Sequence, residues 1–161
     1  MAAMKALFGG LALGLALGGS ASAQSPSTPF DPVGVTVAET AAWLKAAGYE
    51  AEISTNEVGR PVIFSAIGKA KFDVLFFDCE GDRCGSLQFA AAFKLKIPPA
   101  DEVVNRWNRT NRYLKAYSAN DGATHVQYDV NVNVGRTPAM LSDDFGVWVA
   151  NFPKFPAFIG F

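Results

Sequence analysis

Two cysteines are the residues of this chain best suited to covalent chemistry. Cys79 and Cys84 are its only cysteines, and the turn-forming run Glu80-Gly81-Asp82-Arg83 lies between them. In an oxidising compartment an isolated pair of this kind forms a disulfide, and the spacing differs from the C-x-x-C of redox proteins. With one histidine in the chain, no second Cys/His pair completes a zinc site. The pair therefore predicts a structural disulfide that clasps a hairpin.

Three carboxylates alternate through the same turn, at Asp78, Glu80 and Asp82. The spacing resembles the start of a calcium-binding loop, which needs a glycine at its sixth position and a bidentate glutamate at its twelfth. Arg83 and Phe89 occupy those two positions. The pattern therefore predicts a solvated turn, and we expect no metal and no cofactor.

His125 is the only histidine of the chain, and the sequence predicts that it faces solvent on a strand. A histidine base needs a positioned nucleophile and an orienting partner. The sequence has no G-x-S-x-G elbow, no H-E-x-x-H pair and no glycine loop for phosphate. We therefore expect His125 to be a surface residue and the protein not to be an enzyme.

Arginines recur at every third position of a predicted helix, at Arg106, Arg109 and Arg112. On a helix they sweep a broad polar stripe, whereas Val104 and Trp107 turn towards the sheet. The stripe is a candidate docking surface for an acidic partner. The alternative is a solvated helix face whose basic residues suit the negative end of the helix dipole, and the pattern favours this alternative.

The amino terminus has the order of a secretory signal. Lys5 precedes an apolar run from 6 to 18, and Ala21-Ser22-Ala23 fits a cleavage site before Gln24. The run is short for a membrane span, so we predict a cleaved signal peptide over 1–23 and no stable span afterwards. A Ser/Pro/Thr-rich flexible tether is predicted over 24–34 and one domain over 35–161.

Charge and export narrow the range of partners. The formal net charge is −1, which gives no electrostatic reason to bind nucleic acid. The predicted location is periplasmic or secreted.

Three helices are predicted. Thr36 and Glu39 have the spacing of a capping box and open a helix that runs to about Ala47. Pro98-Pro99 precedes the second helix, and Thr137-Pro138 opens the third. The third helix carries an apolar stripe, and two prolines are expected to end it: Leu141, Phe145, Trp148 and Phe152 form the stripe, followed by Pro153 and Pro156.

Alternation of apolar residues predicts the strands. The run 72–77 is apolar on both faces and is expected to be central, whereas 113–119 and 124–134 form a hairpin. Weaker strands are predicted over 49–54 and 62–67. The order of elements predicts an α+β fold, with three helices packed on a twisted antiparallel sheet of five to six strands. One strand has an apolar face ending at Leu95 and a solvent face formed by Gln88, Ala90, Ala92, Lys94 and Lys96.

The run from Val104 to Tyr117, with the turn Asn120-Asp121-Gly122, resembles the YbjN domain family. The resemblance extends from about Val35 to Phe158 and is most specific around Trp107-Asn108. It implies a bacterial protein described as a sensory transduction regulator, with a fold similar to type III secretion chaperones and no catalytic residues. Its core and signature residues in this chain are Trp107, Asn108, Tyr113 and Tyr117.

These observations favour a non-catalytic exported module that regulates or binds a protein or peptide partner through a sheet face or helix groove. The partner of such a module can also be a second copy of this chain, which would give a homodimer. The alternative is a periplasmic small-ligand-binding protein with a pocket between sheet and helices. A hydrolase or redox enzyme is the weakest hypothesis. The pocket of the alternative would be lined by Phe77, Phe89, Phe93 or Tyr128.

Overall fold

The computed structural model describes residues 27–161, so the predicted signal peptide over 1–23 lies outside the described residues. Seven strands and four helices follow one another in a mixed order. The strands are β1 (Val35–Thr36), β2 (Glu52–Thr55), β3 (Pro61–Ile67), β4 (Ala70–Glu80), β5 (Arg83–Phe93), β6 (Lys115–Ser118) and β7 (Thr124–Asn131). The helices are α1 (Val37–Ala46), α2 (Asp101–Thr110), α3 (Pro138–Asn151) and α4 (Lys154–Ile159).

The strands form one antiparallel sheet in the order β2-β3-β4-β5-β7-β6, and the two-residue β1 pairs with the start of β5. This arrangement confirms the predicted α+β class and the central position of β4. The sheet has seven strands rather than five or six because β1 is too short to show alternation. A fourth helix, only six residues long, follows the three that were predicted.

All four helices of the described chain bury their apolar residues against the same face of the sheet. The centre of this core is aromatic. Phe145 and Trp148 of α3 lie 5.1 and 6.0 Å, between ring centroids, from Phe89 of β5. Because buried aromatic rings remove a large apolar area from water, these contacts contribute strongly to holding α3 on the sheet.

The chain that follows the third predicted helix differs from the prediction. Its apolar stripe is buried as predicted, but Pro156 does not end the helical region. Pro156 is the third residue of α4, where a backbone N–H has no intrahelical acceptor and a proline is tolerated. Phe155 of α4 is fully buried, and its ring centroid lies 4.9 Å from that of Trp107. The C-terminal aromatics therefore close the core.

The start of α1 is fixed to the tip of the β4–β5 hairpin. The predicted capping box is present: the Glu39 N–H donates to Thr36 Oγ1 at 3.1 Å, and the Thr36 N–H donates to Glu39 Oε2 at 2.8 Å. Arg83 donates to both oxygens of Glu39, at 3.0 and 3.1 Å, and to the Gly34 carbonyl at 2.9 Å. Partial burial raises the pKa of Glu39, but the Thr36 amide and Arg83 outweigh it, so the pKa is lowered.

The segment directly before β1, which is the second half of the predicted tether over 24–34, packs against the domain. Phe30 is buried, and its N–H donates to the Arg136 carbonyl at 2.7 Å. Gly34 has a φ of +132°, and a Cβ there would lie 2.0 Å from the Cys84 carbonyl oxygen. A buried phenylalanine and a glycine pressed against β5 make these residues part of the domain, although their Ser/Pro/Thr-rich surroundings indicate a tether.

Two adjacent residues of α2 fasten the edge strand β6. The Trp107 indole N–H donates to the Leu114 carbonyl at 3.1 Å. The Asn108 side chain bonds Ala116 twice, donating to its carbonyl at 2.9 Å and accepting from its N–H at 2.8 Å. Since β6 pairs with β7 on its other side, these Ala116 groups point to the open edge. The Asn108 amide therefore takes the place of a neighbouring strand there.

The two cysteines lie directly opposite each other near the end of the β4–β5 ladder. Cys79 and Cys84 are joined by the predicted disulfide, with their Cα atoms 3.9 Å apart. Cys79 is exposed and Cys84 is buried. The bond therefore clasps the hairpin whose tip also carries Arg83.

We expect Trp107→Ala to lower the free energy of unfolding by about 3–5 kcal/mol, because the indole is 1% exposed and packs on Phe155 and Phe158. Urea denaturation followed by circular dichroism measures the change. Arg109→Ala, an exposed position on the same helix, is the matched control and should stay within about 0.5 kcal/mol. A Trp107→Ala protein as stable as the wild type would contradict the packing of α2.

We expect Asn108→Ala to expose the outward N–H of Ala116 to exchange with solvent, because its side-chain acceptor is lost. Amide hydrogen exchange measured by NMR should show lower protection at Ala116, with little change at Val126 in the buried partner strand. Asn108→Asp keeps the acceptor but loses the donor, and should retain part of the protection. Equal protection of Ala116 in all three proteins would show that Asn108 does not cover this edge.

We expect the double substitution Cys79→Ser, Cys84→Ser to leave a folded protein that is about 2 kcal/mol less stable, because a small disulfide loop restricts the unfolded chain only modestly. Thermal melting of the oxidised wild type and the variant measures the loss. The reduced wild type serves as a control and should melt near the variant. Two titratable thiols in the oxidised native protein would contradict the disulfide.

Candidate partner-binding surface

The face of the sheet opposite the helices, called the outer face below, carries exposed aromatic side chains. Phe64, Phe77 and Tyr117 are 41%, 38% and 38% exposed. Strand register places on this face Val62 and Phe64 from β3, Asp73, Leu75 and Phe77 from β4, Ser86, Gln88 and Ala90 from β5, and His125, Gln127 and Asp129 from β7. Exposed rings of this size on one face mark a candidate binding surface.

The centre of the outer face is drier than predicted. Gln88 and Ala90 were expected to face solvent, but they are only 8% and 6% exposed. Ala90 lies between the longer side chains of Asp73 and Gln127, and Gln88 donates to Asp129 at 2.6 Å. The other residues of the predicted solvent face are exposed as expected: Ala92, Lys94 and Lys96.

One row across three strands combines an aromatic ring with two carboxylates. Glu52 lies opposite Phe64, and Phe64 lies opposite Asp73. A recess of about 400 Å³ opens there, lined also by Glu50 and Lys71. Asp73 makes no ion pair within residues 27–161, and burial raises the pKa of its carboxyl group. The carboxylate is therefore partly desolvated without a compensating cation.

A second cavity, of about 750 Å³, lies beyond the other end of β4. Apolar walls come from Val37, Pro61 and Phe77, and the disulfide forms part of the boundary. Arg60 and Asp82 supply charge at its lining. The two cavities thus lie at opposite ends of the β3–β4 ladder: the first is beside Phe64 on the outer face, and the second is lined by Phe77 and by the first turn of α1.

The β6–β7 part of the outer face is polar. The His125 ring stacks on that of Tyr117, with centroids 5.0 Å apart and planes 8° apart, and Gln127 donates to the Tyr117 hydroxyl at 2.9 Å. His125 is half-buried rather than fully solvated. Tyr117 was expected among the core and signature residues, but it lies on the exposed face. Tyr113 is also exposed, at 47%.

The three arginines do not form one helical stripe. Arg106 and Arg109 lie on α2 and are exposed, whereas Arg112 follows the end of the helix at Thr110. The helix ends early because Asn111 is extended, at φ −119° and ψ 127°. The Arg106 guanidinium lies 5.4 Å from the centroid of the Phe158 ring, which gives it a packing role beside its charge.

The pocket predicted between sheet and helices is filled by side chains. Phe89 and Phe93 are buried in the core, and Tyr128 is half-buried with its hydroxyl 3.5 Å from Asp144. Burial raises the pKa of Tyr128, and the negative charge of Asp144 adds to the effect. Phe77, the fourth predicted lining residue, lies instead on the outer face.

The carboxylates of the hairpin turn remain at the surface. Asp78, Glu80 and Asp82 are exposed, and Asp78 accepts a hydrogen bond from Ser86 at 2.7 Å. Between residues 27 and 161 no three His, Cys, Asp or Glu side chains lie close enough together to hold a metal ion. In the same part of the chain no helix is long and apolar enough to cross a membrane.

Residues 36–159 match the model of the YbjN family, described as "Putative bacterial sensory transduction regulator". No curated protein matches the chain. Among solved structures, the chain is similar to the Yersinia pestis type III secretion chaperone SycH in complex with a stable fragment of YscM2. The identity is 15%, the match covers 70% of this chain and 92% of that chain, and the TM-score is 0.45. Because the family match spans most of the sequence, including Trp107 and Asn108, the chain belongs to the YbjN family, as the resemblance predicted.

Proposed function

We propose that this protein is a non-catalytic, exported interaction module that binds a protein or peptide partner on the outer face of its sheet. One observation carries the proposal: every helix of the described chain packs on one face, while the opposite face presents Phe64 and Phe77 to solvent. Leaving such rings exposed forfeits burial energy, and a partner that covers them regains it.

The family supports a regulatory or partner-binding role. The Cys79–Cys84 disulfide is compatible with an oxidising compartment, which supports export to the periplasm or beyond. The sole histidine supports a non-catalytic role, because His125 stacks on Tyr117 and has no nucleophilic side chain hydrogen-bonded to it in residues 27–161.

A small-ligand-binding protein is the second candidate, and the cavity of about 750 Å³ beside Phe77 favours it. Its volume is in the range of small-molecule sites, and its walls are largely apolar. The exposed aromatics favour a macromolecular partner instead, because Phe64 lies outside this cavity and a small ligand bound there would leave that ring uncovered.

The proposal is tested with the double substitution Phe64→Ser, Phe77→Ser. We expect the variant to fold, because both side chains are substantially exposed, and to lose the partner, because the apolar contact area is removed. Tagged wild type and variant are crosslinked in cells of the source organism, and captured proteins are quantified by mass spectrometry. A protein enriched on the wild type at least about tenfold over the variant is the expected result.

The matched control is Ile97→Ser, Met140→Ser, which removes exposed apolar side chains away from the outer face. This control should retain the partner, and all three proteins should show the same far-ultraviolet circular dichroism. Capture that is equal for the outer-face variant and the control would show that the outer face does not bind. A small molecule retained by the wild type in native mass spectrometry, with no captured protein, would favour the second candidate.

A further inference from the structure

The recess at Glu52, Phe64 and Asp73 has a chemistry that the rest of the outer face lacks. Adjacent strands lie about 4.8 Å apart, so the row places one carboxylate on each side of the Phe64 ring. Glu50 adds a third carboxylate to the lining. An exposed ring flanked by carboxylates offers a flat π-face and charged acceptors to the same ligand group.

A planar cation satisfies both features at once. A guanidinium group stacks on an aromatic ring with its face and donates N–H bonds in its plane, which a carboxylate accepts in a paired geometry. Among residues 27–161, Lys71 is the only cation lining the recess, against the carboxylates of Glu50, Glu52 and Asp73. Within the described residues, neither Lys71 nor another cation forms an ion pair with these carboxylates.

We infer that the partner segment is basic and apolar, and that it inserts an arginine side chain between Glu52 and Asp73 over the Phe64 ring. This inference rests on the proposed function, because it assigns the chemistry of the partner that the outer face binds. The apolar residues of the segment lie along β3 and β4 towards Phe77. The side chains on that path are Leu75, which shares its row with the buried Val62, and Phe77 in the following row of the outer face.

The geometry of the sheet defines a probe peptide. Alternate residues of an extended chain are about 6.6 Å apart on one face, which matches the spacing of alternate rows along β3 and β4. The probe is a fluorescent, acetylated and amidated peptide of alternating serines, with arginine, leucine and phenylalanine at its second, fourth and sixth positions. A matched probe carries citrulline, which has a similar shape without the charge, in place of arginine.

Fluorescence anisotropy measures the binding of each probe at low and at physiological salt. We expect the wild type to bind the arginine peptide at least about tenfold more tightly than the citrulline peptide, since bonds to charged groups are the stronger ones. The preference should disappear in Glu52→Gln, Asp73→Asn. The control variant Glu57→Gln, Glu102→Gln loses the same amount of negative charge from exposed sites elsewhere, and it should still prefer the arginine peptide.

The possible outcomes distinguish failure of the arginine site from failure of the outer face as a binding surface. If the wild type binds both peptides equally and the Phe64→Ser, Phe77→Ser variant binds neither, the arginine site is overturned. The outer face then remains the binding surface. Equal binding of both peptides by the wild type and by that variant overturns the proposed function as well. No binding of the arginine peptide to the wild type at millimolar concentration overturns the inference.

Thermal melting of Asp73→Asn gives a second test that needs no ligand. Burial raises the pKa of Asp73, so its ionised form destabilises the free protein at neutral pH. The variant should therefore melt above the wild type at pH 7. The difference should shrink as the pH falls through the raised pKa of the folded state, and it should vanish well below about 4, where the carboxyl group is protonated in both states. Glu50, Glu52 and Lys71 also face this recess, so Glu52→Gln is measured alongside. A lower melting temperature for Asp73→Asn at pH 7 would show that the carboxylate already has a stabilising partner, and would overturn the inference.

Discussion

One-sided burial of the sheet is the constraint on which the rest of this structure depends. All four helices of the described chain share one core with Phe72, Phe89 and the other inward residues of the strands. No described helix is left to cover the opposite face, so the side chains there must either be polar or be covered by another molecule. The β6–β7 half of the outer face is polar, whereas Phe64 and Phe77 on the β3–β4 half are not. The distribution of apolar side chains, rather than a catalytic group, thus points to function.

Local patterns were sufficient to predict most of the elements. Alternation identified the long strands, and Thr36 with Glu39 marked the start of α1 because a capping box depends only on neighbouring residues. Features set by distant contacts were missed. Residues 30–34 look like a tether until Phe30 is seen in the core, and Arg112 looks helical until Asn111 is seen to be extended. Tertiary packing overrides local preference at such positions.

The candidate site could be predicted only in part, because it is assembled by register between strands. The run 72–77 is apolar on both faces, and this pattern predicts the central position that β4 has in the sheet. A two-sided apolar strand has the same pattern whether its second face is covered by its own chain or by a partner. Glu52, Phe64 and Asp73 lie in one row because of the pairing of β2 with β3 and of β3 with β4, and the spacing of residues along the sequence does not predict this register. Sequence therefore indicated a sheet face, but not which residues form its recess.

The Trp107-Asn108 pair has a structural role that bears on how a partner can bind. An edge strand offers unpaired N–H and C=O groups to any extended chain, and β6 is one edge of this sheet. Asn108 already bonds the outward groups of Ala116, so a partner strand adding at β6 would have to displace its side chain. Trp107 holds α2 in place through the buried indole, which makes that displacement costly. Because the pair closes this edge, binding through side chains on the outer face is favoured over strand addition at β6.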